Sequence, residues 1–203
     1  MALTILGIVS VFFFDIPLAK WLPSLRGTSV YIIAEALGEI GRSYWILGYA
    51  AVAALVLWRG NRSLAHRHIV LFASVAIAGT ISLVLKAIVC RPRPPLFLES
   101  GITWPHFFDF TTAFLWNSFP SGHATTGLAI AVAGSYITPR LRWPWWVLGT
   151  LIALSRIVLN VHYASDVIAG SIIGLVVSWW VVEHGEKVKH RSDAILASAK
   201  PLP

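Results

Sequence analysis

The sequence is poor in cysteine and in charge. Cys90 is alone, so no internal disulfide can form, no thiolate metal site can be built, and no redox compartment can be read. Only 12% of the 203 residues are Asp, Glu, Lys or Arg, while 57% are hydrophobic; soluble domains average about 25% charged. A water-soluble fold of this length could not hide so much apolar surface, so the solvent is a bilayer. The net charge of +7 does not point to nucleic acid, because no basic stripe with interleaved aromatics lies outside the apolar runs. Period-2 alternation, internal repeats and low-complexity tracts are also missing, which excludes a strand architecture and repeat folds.

What the chain does have is ten tryptophans, residues that favour membrane–water interfaces, and six apolar segments. These run from Ala2 to Phe14, Tyr44 to Trp58, Ile69 to Cys90, Ser121 to Thr138, Trp143 to Val161 and Val167 to Val182. The first has no basic residue before it and no small-residue cleavage site after it, so it reads as a retained span. About 20 helical residues cross a hydrocarbon core, and the first two segments are short for this unless they extend into their flanks or the bilayer thins. The reading is all-α: one membrane-embedded domain over residues 1–203, a polytopic bundle of six transmembrane helices.

Loop charge orients the bundle. With the amino terminus in the cytoplasm, nine of sixteen basic residues lie inside (Arg59, Arg62, Arg67, Arg140, Arg142, Lys187, Lys189, Arg191, Lys200) and six of nine acids lie outside (Asp15, Glu35, Glu39, Glu99, Asp109, Asp166). The positive-inside rule then places both termini in the cytoplasm. Two long connections fall outside. Asp15 to Ser43 has room for a surface helix; Arg91 to Pro120, rich in proline and aromatics, reads as a functional lid or binding loop.

Ionisable residues within or beside apolar helices are costly and are functional candidates by default. Lys86, His123, Arg156, His162 and Asp166 all fall at the same outer rim in this topology. Singly, each has a plain explanation: a snorkelling cation, a helix-end histidine, an i,i+4 pair. One active site explains the whole set.

The spacing points to the chemistry. Lys86 and Arg93-Pro94 put two cations near one helix end. In Pro120-Ser121-Gly122-His123, proline stops a helix backwards and Ser121 is a good N-cap, so the amides of Gly122 and His123 face outward as an anion site. In Ser155-Arg156, five residues, His162, three residues, Asp166, a helical final stretch puts His162 and Asp166 on one face. The carboxylate then holds one ring nitrogen protonated and leaves the other to attack. Three cations and helix-start amides suit a phosphoryl group, whose transition state spreads charge over three equatorial oxygens. Two histidines supply a nucleophile and an acid. No acidic cluster is available for Mg²⁺, so the expected mechanism is metal-independent, with no cofactor.

These three motifs resemble the signature of the type 2 phosphatidic acid phosphatase superfamily, which includes glucose-6-phosphatase and the vanadium haloperoxidases. They span Lys86 to Asp166 without departure at a motif position. The resemblance implies that His162 attacks phosphorus to form a phosphohistidine, Asp166 orients it, and His123 protonates the leaving group and then activates water. Lys86, Arg93 and Arg156 bind phosphoryl oxygens, with Ser121 and Gly122 assisting. It implies a lipid phosphate or pyrophosphate substrate (undecaprenyl pyrophosphate, phosphatidylglycerol phosphate or phosphatidic acid), with lipid A phosphate, or phosphoryl transfer to a second lipid, as alternatives. The expected setting is a bacterial inner membrane, with membrane lipids around the chain and the site facing the periplasm or exterior.

Overall fold

The computed structural model describes residues 10–198, apart from 12 and 112. Most of the expected first span, Ala2 to Phe14, lies outside the described residues. The described chain is helical, with no strand among those residues. Its helices are α1 (Asp15–Trp21), α2 (Ser29–Ile40), α3 (Ser43–Leu57), α4 (Arg62–Val89), α5 (Pro94–Ser100), α6 (Gly122–Ile137), α7 (Arg142–Val158) and α8 (Ala164–Ser198).

Helix ends follow local sequence. Thr28, Asn61 and Ser121 cap α2, α4 and α6 by accepting from the amides of Tyr31, Leu64 and Ala124, as short polar side chains do. Cys90, with φ of 43°, closes α4 in the left-handed region. Asn160, with φ of 53°, does the same just past α7; asparagine tolerates this better than most side chains.

Five of the six apolar segments coincide with α3, α4, α6, α7 and α8. Their lengths differ in consequence. The stretch Arg62–Ser100 and the helix Ala164–Arg191 are long and apolar enough to cross a membrane, and α2 with α3 would make a third crossing bent by 42°. Helices α6 and α7 have 16 and 17 residues, about 24–26 Å at 1.5 Å per residue, short of a roughly 30 Å core. The Asp15–Ser43 connection, which had room for a surface helix, is largely helical. It holds α1 and α2, and α2 packs against α7 and bends into α3.

Helix α6 is the centre, flanked by α4, α7 and α8. It buries Ala124 through Ala131, together with Ala133 and Gly134, so the interior is built of small residues. Large apolar side chains point outward instead: Leu55, Leu83, Val176 and Trp179 are all more than 60% exposed. Only a lipid solvent makes that distribution favourable. Helix α8 meets α6 through Gly170 and Gly174, spaced four apart; a Cβ on Gly174 would stand 2.3 Å from the Thr125 carbonyl oxygen. Backbone lies against backbone there, and neither side can yield by rotating a side chain. Gly174→Ala is therefore expected to destabilise by about 1–3 kcal/mol, the usual cost of overpacking, and to lower the thermal midpoint in detergent. An unchanged midpoint would show that the two helices part freely.

Candidate active site

Four helix ends converge on one open cavity of about 850 Å³. The last turn of α4 brings Lys86, and the extended Arg91-Pro92-Arg93 segment after Cys90 brings Arg93. The first turn of α6 brings Gly122 and His123. The last turn of α7 brings Arg156, and the link into α8 brings His162. All six line the cavity. The other two expected residues sit behind its wall. Ser121 is buried, its hydroxyl accepting from Ala124 N at 3.4 Å. Asp166 is fully buried in the first turn of α8.

The three cations have an uncommon set of partners. Lys86 Nζ donates to the carbonyl of Asn117 at 2.8 Å. Arg93 donates to the carbonyls of Phe114 (2.8 Å), Val161 (2.9 Å) and Asn117 (3.1 Å), with its guanidinium carbon 3.8 Å from the Phe114 ring centroid. Arg156 donates to Ser155 Oγ at 3.0 Å and to the Ala34 carbonyl at 3.2 Å. None of the three enters an ion pair among the described residues. Dipoles hold them in place without an ion pair; Glu35, Glu39 and Arg42 also line the cavity, with Glu39 paired to Arg42, and the balance of the lining stays positive, which favours an anion of high charge.

The Arg91–Pro120 connection supplies the Phe114 and Asn117 carbonyls, the link after α7 that of Val161, and α2 that of Ala34. The connection closes on its own start through Arg93 N to Leu115 O (2.7 Å) and Ser118 N to Arg91 O (3.0 Å), and folds back on the end of α4 through Phe108 N to Ile88 O (2.7 Å). It is thus part of the cation cradle as well as a rim, with Trp104, Phe107, Phe108 and Phe110 exposed.

His162 and Asp166 meet differently from the expected shared helix face. Left-handed Asn160 ends α7, and α8 starts only at Ala164, so His162 stands in the link before the helix. Its Nδ1 lies 3.7 Å from Asp166 Oδ2, beyond hydrogen-bond reach, and is buried without a partner. Asp166 instead accepts from Arg91 Nη1 (2.6 Å), Ser118 Oγ (2.5 Å) and Tyr163 N (3.0 Å). Burial pushes the His162 imidazole down to about 3, so the ring is neutral at pH 7, as a nitrogen nucleophile must be. Among the described residues no three His, Cys, Asp or Glu side chains gather as metal ligands would.

Sequence reasoning missed several residues around the site. Arg91 stands two positions before Arg93, and Asp15 is a lone acid at the end of an apolar run; the place of each beside an apolar segment was the signal. Ser118 and Asn117 lie just ahead of the Pro120-Ser121-Gly122-His123 motif. For Ala34 and Gly38 on α2 there was no signal. A Cβ on Gly38 would stand 1.9 Å from Arg156 Nη2, and one on Gly41 would stand 3.3 Å from His123 Cδ2, so α2 and its exit form the wall over both groups.

Comparison with known proteins agrees in extent. The lipid A 1-phosphatase of Rhizobium etli is 31% identical over 178 residues, 82% of this chain and 75% of that protein. The undecaprenyl-diphosphatase BcrC of Bacillus subtilis is 28% identical over 154 residues, 75% of this chain and 76% of that protein. The fold resembles the crystal structure of a transmembrane PAP2 type phosphatidylglycerolphosphate phosphatase from Bacillus subtilis, with a TM-score of 0.63 at 17% identity, covering 92% of this chain and 96% of that one. The family pattern of the PAP2 superfamily matches residues 67–188, a stretch that contains every residue of the three motifs, and the chain belongs to that superfamily.

Proposed function

We propose that this protein is an integral membrane phosphatase that removes a phosphate from a lipid phosphate or pyrophosphate, without a metal, through a phosphohistidine on His162. The observation that carries the reading is the set of three cations left unpaired by carboxylates around a cavity that also holds both histidines.

The steps follow from the positions. The phosphoryl oxygens sit among Lys86, Arg93 and Arg156, with the Gly122 and His123 amides at the helix start. His162 Nδ1 faces Asp166, so Nε2 attacks phosphorus. A P–N bond forms, the P–O bond to the lipid breaks, and the departing oxygen takes a proton from His123. Neutral His123 then removes a proton from water, whose oxygen attacks phosphorus. The P–N bond breaks, and inorganic phosphate leaves. As charge develops on His162, the 3.7 Å gap to Asp166 closes to a hydrogen bond, since catalytic contacts commonly tighten in the reacting complex.

The substrate class rests on the relatives and on the bilayer. Polyprenyl and glycerolipid phosphates fit a cavity walled by apolar helices, and so does the phosphate of lipid A, the substrate in the name of a 31% identical relative. The reading includes one domain over residues 1–203 and six spans in a bacterial inner membrane. Both termini lie in the cytoplasm, and the site is at the outer rim. That arrangement keeps His162 beside lipid headgroups and open to the water of the second step.

Phosphate release from a panel of undecaprenyl pyrophosphate, phosphatidylglycerol phosphate, phosphatidic acid and lipid A, in detergent, tests the reading. Full activity is expected with EDTA present, and inhibition by vanadate, which can take a trigonal bipyramidal geometry on the histidine. Complete loss in EDTA restored by Mg²⁺ would overturn the proposed chemistry. Phosphate appearing only when a second lipid is added, and then on that lipid, would make the enzyme a phosphotransferase.

A further inference from the structure

A second buried ionic group lies directly behind the site. Arg91 Nη1 donates to Asp166 Oδ1 at 2.6 Å and to Ser165 Oγ at 2.7 Å, and Nη2 donates to Asp15 Oδ2 at 2.9 Å. Its guanidinium carbon lies 4.2 Å from the Tyr163 ring centroid. Asp15, from the first turn of α1, also accepts from Ser165 N at 3.0 Å, from Ser10 Oγ at 3.1 Å, and from the Ser165 hydroxyl. The carboxylates of Asp15 and Asp166 are 1% and 0% exposed, and the Arg91 side chain is 13% exposed. Neither Asp15 nor Arg91 lines the cavity.

Two buried carboxylates thus share one guanidinium, and the trio carries a net charge of −1. Its geometry is directional. Arg91 occupies Oδ1 of Asp166, which leaves Oδ2, held by Ser118 and Tyr163 N, as the oxygen nearest His162 Nδ1. A planar fork can bridge two carboxylates in this way and a point charge cannot. Asp15 answers the charge of Arg91, so the negative charge of Asp166 is not cancelled before His162 needs it.

We propose that Arg91 and Asp15 are positioning residues for the nucleophile: Arg91 aims Asp166 at His162, and Asp15 keeps the trio at one net negative charge as the imidazole becomes cationic. This rests on the reading of His162 as nucleophile. It also gives α1 a part in turnover, through a contact between residues 150 apart. Removing Asp15 leaves Arg91 to neutralise Asp166, and removing Arg91 leaves two buried carboxylates uncompensated. Each single change spoils the charge that His162 meets, and changing both restores it.

The test is a charge cycle with Asp15→Asn, Arg91→Gln and the double variant, assayed on a lipid phosphate for kcat and KM, and by acid quench for phosphoenzyme. Each single variant is expected to lose about 10- to 100-fold in kcat, with KM within about twofold, because neither side chain lines the cavity. Phosphoenzyme formation slows in parallel. The double variant is expected to lose far less than the product of the single losses. Arg91→Lys keeps the charge and guards against a variant that does not fold; monodispersity by gel filtration is checked for all four. It is expected to lower kcat with KM unchanged, because one ammonium cannot hold both carboxylates in the same geometry. A KM that rises with the kcat loss would make Arg91 a substrate ligand, and strictly multiplicative losses would remove the charge coupling; either overturns the proposal. Wild-type kcat in folded Arg91→Lys and Asp15→Asn would do so as well. His162→Ala run alongside separates the two readings: if it still turns over, the nucleophile assignment has failed, and if it is dead while the charge cycle is flat, only the present inference has.

Discussion

His162→Ala is expected to abolish turnover and to form no phosphoenzyme, whereas His123→Ala keeps the nucleophile and slows its attack by roughly 10²–10⁴-fold. The two losses differ in what repairs them. An aryl phosphate with a good leaving group needs little protonation, so it is expected to recover part of the His123→Ala loss. Leaving-group quality cannot replace an absent nucleophile, so His162→Ala stays dead. Asp166→Asn falls between. The ring of His162 remains, but the amide cannot balance its developing charge, and Ser118 and Arg91 lose a charged acceptor. Initial rates of the three variants on a lipid phosphate and on an aryl phosphate make the measurement. Equal rescue of both histidine variants would mean that the nucleophile and the acid are exchanged.

Gly38→Ala is expected to cost about 10- to 100-fold in kcat/KM while leaving the fold intact. The added methyl would stand 1.9 Å from Arg156 Nη2 and 2.7 Å from its guanidinium carbon, so one of the two must move. The obstacle is the far end of a flexible side chain, and the helix can stay where it is. The guanidinium swings away instead, breaking its bond to the Ala34 carbonyl and withdrawing the group proposed to bind a phosphoryl oxygen. Losing one charge-assisted hydrogen bond of about 1.5–3 kcal/mol accounts for the size of the effect. Gly48→Ala, where a Cβ meets nothing within 4 Å, is the control. A normal rate in Gly38→Ala with its thermal midpoint unchanged would show that Arg156 takes no part in binding the phosphoryl group.

Gly38 also marks where sequence reading stops. The residues before Ser43 read as an outside connection with room for a surface helix, and nothing in their composition tied that helix to the site. In the fold, Ala34 and Gly38, one turn apart, are the buried face of α2 and lie against the guanidinium of Arg156, 122 positions after Ala34. A similar limit held for His162 and Asp166. Their spacing matched a helical turn, and they do approach each other, but through a link that starts at left-handed Asn160 and a helix that begins at Ala164.

By itself the sequence determined the solvent, the positions of five apolar helices and a set of eight candidate site residues, of which Lys86, Arg93, Gly122, His123, Arg156 and His162 line one cavity. These are matters of local composition and spacing: apolar runs, capping residues, and polar groups too costly to sit in lipid without a task. The tertiary structure alone decided what holds the eight. Backbone carbonyls of Phe114, Asn117 and Val161 steady the cations, and Asp166 is tied to Arg91 and through it to Asp15. Such partners are carbonyls present at every residue, or side chains 75 and 76 positions away. Neither has a period or a motif, because which backbone faces which side chain is settled only when the helices pack.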